Sequence, residues 1–162
     1  MDTGKQAGQT VPRSPDVDAR PVVLVLVEDT IGSLASLLLA AKIAAVQQAR
    51  LHVAHISAPR MWWGAAAGMP TPAALLAEAD RTAAGELRDR VGDVQALVPP
   101  AEWTFTWTRG MVNDTVTRLV SELSPAAVMV GTPRRPSRLS MHRSMTRWLI
   151  GRPNVQAVVV PA

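Results

Sequence analysis

Hydrophobic residues fall along this chain in short blocks of two kinds. "PVVLVLV" (Pro21–Val27), "LHVAHI" (Leu51–Ile56), "AAVMV" (Ala126–Val130) and "VQAVVV" (Val155–Val160) are dense β-branched and aliphatic runs. Such runs predict strands covered on both faces, the condition of a parallel sheet. A fifth run, "EWTFTWT" (Glu102–Thr108), alternates instead. Trp103, Phe105 and Trp107 share one face and the threonines the other, which predicts a half-exposed strand at a sheet edge. Between the runs the period changes to that of a helix. An apolar helix is predicted from Ile31 to about Arg50. A second runs from Ala73 to about Val98, with Leu76, Ala83, Leu87 and Val91 on one side. A third carries Val112, Val116, Leu119, Val120 and Leu123, with Asn113 or Asp114 as N-cap, and ends at Ser124-Pro125. A short helix is expected around Ser144–Ile150. "SAPRMWWGAAAGMPTP" (Ser57–Pro72) reads as a loop.

The order is βαβαβαβαβ. Strands alternating with helices imply one parallel sheet clad by helices on both faces. Ligands of such sheets sit beyond the carboxyl ends of the strands, where the strand order reverses. The first and fourth strands are the natural pair to flank that point, and "VEDT" and "VGTP" are their carboxyl ends.

Composition then narrows the chemistry. At 162 residues the chain suits one domain with a proper core. Residues 1–20 are polar, rich in Gly, Pro, Gln and Asp and without an apolar block, and read as a disordered leader ahead of a domain over 21–162. Ile31 to Val46 is too short for a membrane span and is interrupted by Lys42. There is no cysteine, which excludes disulfides and thiolate metal sites. His52 and His55 fall on opposite faces of one strand, so they do not act together on a ligand, and His142 stands apart in the last long loop. A Gly-x-Ser-x-Gly elbow, a Walker lysine and a His-Glu-x-x-His pair are all missing, and Ser137, Ser140 and Ser144 have no evident base beside them. The expectation is therefore a protein that binds rather than an enzyme.

Charge is uneven. The net charge is +4, yet Gly131 to Arg152 alone holds six arginines and no acid, which leaves the remainder of the chain at −2. A basic segment on a near-neutral body points to a local anion site more than to a nucleic-acid surface.

Three segments carry a resemblance to a known family. "LVLVEDT", "TRGMVNDTVTRLVSELSPAAVMVGT" and "SMTRWLIGRPNVQAVVVP" resemble the first strand, the third-helix and fourth-strand region, and the closing helix and strand of the universal stress proteins. The likeness runs from about Pro21 to Ala162. It implies a doubly wound, five-stranded parallel sheet of order 3-2-1-4-5, flavodoxin-like or adenine nucleotide α-hydrolase-like. It also implies a cytoplasmic regulatory or protective protein, a homodimer paired through the last strand and, in one branch of the family, bound ATP. That branch has a loop of the form Gly-x-x-Gly, nine residues, Gly-Ser/Thr. Here Val130 and Gly131 fit its start, Arg134 stands at the second glycine, Arg143 at the third, and Ser144 at the Ser/Thr, with the interval one residue short. Met145 follows where a small apolar residue is usual. Val27 and Glu28 match the family's Val-Asp pair after the first strand, and Ile56 matches the apolar residue that meets the adenine.

Glycine serves a phosphate loop by adopting positive φ and by letting backbone N–H groups approach without a Cβ in the way. Arg134 and Arg143 forfeit both advantages, and Pro133 and Pro136 have no N–H to give. Guanidinium groups bring donors of their own, and a charge-assisted bond contributes about 1.5–3 kcal/mol. Three readings of the arginines stand: solvated surface charge, ligands for the phosphates of ATP, or ligands for some other anion. An interaction module of the same fold without a nucleotide is the alternative function, and weak ATP hydrolysis comes third. Glu28 reads as a contact to the adenine side or ribose hydroxyls of a nucleotide or as an N-terminal charge for the helix, and with Asp29 beside it also as a metal-ligand or acid/base pair. Trp62 and Trp63 read as a cover for the sheet end or helix ends, as a platform for a base, or as a partner contact.

Overall fold

The computed structural model describes residues 20–28, 31–57, 73–98, 102–131, 148–149, 151 and 156–160. In chain order the elements are β1 (Val22–Leu26), α1 (Ile31–Val46), β2 (Arg50–Ser57), α2 (Ala73–Ala96), β3 (Trp103–Arg109), α3 (Val112–Leu123), β4 (Ala127–Gly131) and β5 (Ala157–Val160). All strand pairings are parallel and the sheet order is β3-β2-β1-β4-β5. β1 lies at the centre and is buried along its whole length, which is why its sequence shows no alternation. β3 is an edge strand, as its alternating pattern predicts.

The two sheet faces carry separate cores. Val23, Val25, Val27, Leu51, Val53 and Met129 pack with Leu37, Ala40, Ala41 and Ala44 of α1 and Leu87 and Val91 of α2. Trp103 and Phe105 lean on the same cluster, so these two edge aromatics are covered by the helices of that face. On the opposite face Leu24, Leu26, Ala54, Ile56, Val128 and Val130 pack with Val112, Val116 and Leu119 of α3, and with Leu149. Trp148 and Leu149 are helical; the rest of the short helix expected around Ser144–Ile150 lies outside the described residues.

Several boundaries differ from the sequence reading for local reasons. α1 stops at Val46 because Gln48 takes a left-handed conformation (φ 52°) and Arg50 already joins β2, its N–H reaching the Pro21 carbonyl at 2.9 Å. On α2 the buried positions are Asp80, Ala84, Leu87, Val91 and Gln95, while Ala83 is exposed. A run rich in alanine does not distinguish neighbouring turns by hydropathy. The N-cap of α3 is neither Asn113 nor Asp114. It is Met111, in extended backbone (φ −68°, ψ 130°) and with no side-chain capping bond, and the first turn closes through the Thr115 N–H and the Met111 carbonyl at 3.0 Å. Asp114 instead lies within that turn, where its charge complements the helix dipole.

Ser124 does end α3, in left-handed backbone (φ 43°, ψ 54°) with its N–H on the Val120 carbonyl. That conformation costs an L-residue about 1–2 kcal/mol, against the roughly 0.5–1 kcal/mol of extra chain entropy that glycine loses on folding. Ser124→Gly is therefore expected to raise stability by about 0.5 kcal/mol, seen as a higher urea midpoint with an unchanged slope.

Candidate functional site

β1 connects through α1 to β2 on one side, whereas β4 pairs with β1 on the other, so the strand order reverses between β1 and β4. Leu26 pairs with Val130 there, and Val27 and Gly131 are the next residues on each strand path. Val27, Val130 and Gly131 are buried, and Glu28 is half-buried at the mouth. Ile56, next to last in β2, lies at the same end of the sheet, but its side chain turns into the α3-side core. Five of the sequence-selected residues (Val27, Glu28, Ile56, Val130, Gly131) thus collect at one end of three adjacent strands. Arg134, Arg143, Ser144 and Met145 lie outside the described residues, as do Asp29, Trp62, Trp63, His142 and residues 1–19.

The backbone at this mouth is tightly supported. The Val27 N–H makes the last ladder bond, to the Ala54 carbonyl at 2.9 Å. Beyond it the Glu28 N–H donates to Ser33 Oγ at 3.0 Å, and Ser36 Oγ donates to the Ser33 carbonyl at 2.8 Å. Ser33 and Ser36 are fully buried in the first turns of α1. The Ser33 hydroxyl ties the strand exit to the helix start and the Ser36 hydroxyl bonds within the helix, roles sequence reasoning missed because it read this helix only as an apolar block. On β2, His55 Nδ1 lies 2.9 Å from the Val27 carbonyl oxygen. His55 and Ser57 are two apart and so share a face, which the sequence does show; that Trp107 is the residue directly opposite His55 depends on register.

His52, on the other face, serves the opposite end of the sheet. With Val22, Arg50, Glu102, Thr104 and Leu123 it lines a chamber of about 50 Å³. Its Nδ1 is 2.9 Å from Thr104 Oγ1, and its Nε2 is buried without a hydrogen-bond partner. Burial, and then the nearby Arg50 charge, hold the imidazole below its ordinary pKa of 6.5. The folded chain therefore resists protonation that the unfolded chain accepts. Stability from this residue is intact above the unfolded value and is lost as the pH falls below it. Between about pH 7 and pH 5 the urea midpoint of His52→Gln should fall less steeply than that of the parent chain.

Among the described residues no three His, Asp or Glu side chains are grouped to hold a metal, and no helix is long and apolar enough to cross a membrane. At the mouth a half-buried acidic residue, Glu28, stands over buried apolar strand ends.

No protein-family model matches the chain, and no curated protein matches it. Solved structures do. The universal stress protein UspA from Lactobacillus plantarum is similar at 18% identity and a TM-score of 0.65, over 88% of this chain and 99% of that one. A universal stress protein family member from Burkholderia pseudomallei is 20% identical at a TM-score of 0.61, over 87% and 96%. The universal stress protein from Archaeoglobus fulgidus, in complex with dAMP, is 16% identical at a TM-score of 0.56, over 87% and 97%. With its parallel sheet of order 3-2-1-4-5 and helices on both faces, this chain has the fold of the universal stress proteins.

Proposed function

We propose that the chain is a universal stress protein-like regulatory or protective protein that binds an adenine nucleotide, or another phosphate-containing ligand, in the crevice between β1 and β4. The observation that carries this reading is the meeting of Val27–Glu28 with Val130–Gly131 at the point where strand order reverses, the place where such sheets take ligands. The dAMP complex of the Archaeoglobus fulgidus protein supports the ligand class. In this reading Glu28 meets the nucleoside and Ile56 supports it from the α3-side core beneath, while Arg134, Arg143 and Ser144 meet the phosphates in place of a glycine-rich cradle. Binding, not turnover, is the activity, in the cytoplasm.

Calorimetric titration with ATP and AMP tests it. One charge-assisted contact of about 1.5–3 kcal/mol corresponds to a roughly 10- to 100-fold loss of affinity in Arg134→Ala. Equal binding by both proteins removes Arg134 from the site, and no binding by the parent chain overturns the nucleotide reading. Phosphate release above that of a Glu28→Gln control would reveal turnover instead.

The proposal includes a homodimer. β5 is the second edge of the sheet, an apolar four-residue strand whose residues are all half-buried, with Val158 and Val160 leaning on the α1-side core. An apolar open edge is stabilised by pairing with another strand. Sedimentation at micromolar concentration is expected to show a dimer, and a monomer throughout would contradict this arrangement.

A further inference from the structure

One peptide unit at the mouth of the crevice is held at both ends by side chains. It joins Val27 to Glu28. Its carbonyl oxygen faces His55 Nδ1 at 2.9 Å, and its N–H donates to Ser33 Oγ at 3.0 Å. The strand ladder has ended one residue earlier, with the bond from the Val27 N–H to Ala54. Two side chains, one from β2 and one from α1, fix the plane that the sheet no longer fixes.

The directions of the bonds follow from what each atom is able to do. The indole N–H of Trp107 only donates, and it reaches Ser57 Oγ at 2.9 Å. Ser57 keeps its own proton for a second bond, and His55 Nε2 is 3.4 Å away. Accepting that proton requires a bare Nε2. The imidazole proton therefore sits on Nδ1, facing a carbonyl oxygen that only accepts. A neutral ring with the proton on Nδ1 is the state in which all three bonds are made. The chain of groups starts on the edge strand β3, where Trp107 lies opposite His55, and ends at Val27, one residue past the central strand β1.

We infer that His55 is a positioning residue for the crevice: through Trp107, Ser57 and its own Nδ1–H it sets the plane of the Val27–Glu28 peptide and so the direction in which Glu28 leaves β1. This rests on the reading of that crevice as the ligand site. A ligand that meets Glu28 then finds a backbone already oriented, and no conformational search is needed on binding. His55 itself lies on the α1-side face below the mouth and acts only through the peptide it holds.

The test uses the intact chain. Long-range nitrogen–proton correlation spectra should show His55 protonated at Nδ1 and bare at Nε2; the other tautomer overturns the inference. Two variants of similar size separate donation from bulk. In His55→Asn the amide nitrogen stands close to the place of Nδ1 and donates, whereas the ionised side chain of His55→Asp only accepts. The Glu28 amide is expected to exchange within about threefold of the parent rate in His55→Asn and at least about tenfold faster in His55→Asp. Affinity for AMP should follow the same split, within about threefold for Asn and weaker by about tenfold or more for Asp. Equal exchange, or equal affinity, in the two variants overturns the positioning role. If His55→Asp fails to fold, His55→Leu, which has no donor, replaces it with the same expectations. A parent chain that binds no AMP overturns the ligand reading and the positioning role with it, whereas the tautomer and the Glu28 exchange still decide whether the peptide is clamped, so the two failures are told apart.

Discussion

Leu37→Ala is expected to lower the unfolding free energy by about 2–5 kcal/mol, the largest loss among single truncations in α1. Leu37 is fully buried and packs in the cluster formed by Val23, Val25, Val53 and Met129, directly under the strands that lead to the crevice. The loss has two parts, the transfer free energy of the removed atoms and the cavity left behind, which α1 cannot close without leaving β1 and β4. Leu38 and Leu39 provide an internal control, since the three leucines are consecutive. Leu38 is half-buried, and Leu39 is 39% exposed. Leu39→Ala should change stability by no more than about 0.5 kcal/mol, with Leu38→Ala between the two. Urea midpoints with unchanged slopes check the ranking. A Leu39→Ala loss equal to that of Leu37→Ala would contradict the placement of α1.

Those three leucines also mark the limit of what was legible before the structure. The strands were readable because β1 and β4 are buried on both faces and so carry unbroken apolar runs, while β3 alternates as an edge strand does. The change of period from two to three or four residues placed α1, α2 and α3 between them. The rotation of α1 was not readable, because leucine, alanine and isoleucine surround the helix and leave no polar face to define the outside. On α2 the shift from Ala83 to Ala84 was hidden because the two alanines are adjacent and alike in hydropathy. Capping of α3 was misplaced because Asn113 and Asp114 are good capping types, but the chain leaves Gly110 in extended backbone and turns helical at Val112. At the candidate site, the strand ends could be named from spacing alone. The clamp on the Val27–Glu28 peptide could not, because it depends on a serine inside an apolar helix and on which β3 residue stands opposite His55. The first spans five residues but is masked by the apolar pattern of α1, and the second is not local in sequence.

Arg109→Ala is the second large change expected, a loss of about 1.5–3 kcal/mol. Arg109 ends β3, and its Nε lies 3.1 Å from Asp80 Oδ2 on α2. The two partners are unequal: the Asp80 side chain is 7% exposed and that of Arg109 is 43% exposed. Removing the arginine leaves a buried carboxylate without its paired guanidinium, a state that is costly because little water can reach it. Removing the acid leaves a guanidinium that can turn outward into solvent. Asp80→Leu should therefore cost less than Arg109→Ala, and the double variant less than the sum of the two, with a coupling of about 0.5–3 kcal/mol in the cycle. The partial exposure of Arg109 places its loss below the 3–5 kcal/mol found when a fully buried pair is broken. The position of the pair gives the loss a direction. The next residue, Gly110, bonds through its N–H to the Ser57 carbonyl at 3.1 Å, and Ser57 is the link between Trp107 and His55. Loosening α2 from the end of β3 should then be felt first at the carboxyl end of the sheet. Hydrogen exchange should rise at Gly110 and at Glu28 before it rises at Val23 or Val128 in the buried middle of the strands; a uniform increase across the sheet would show that the ion pair supports the whole domain and not this end.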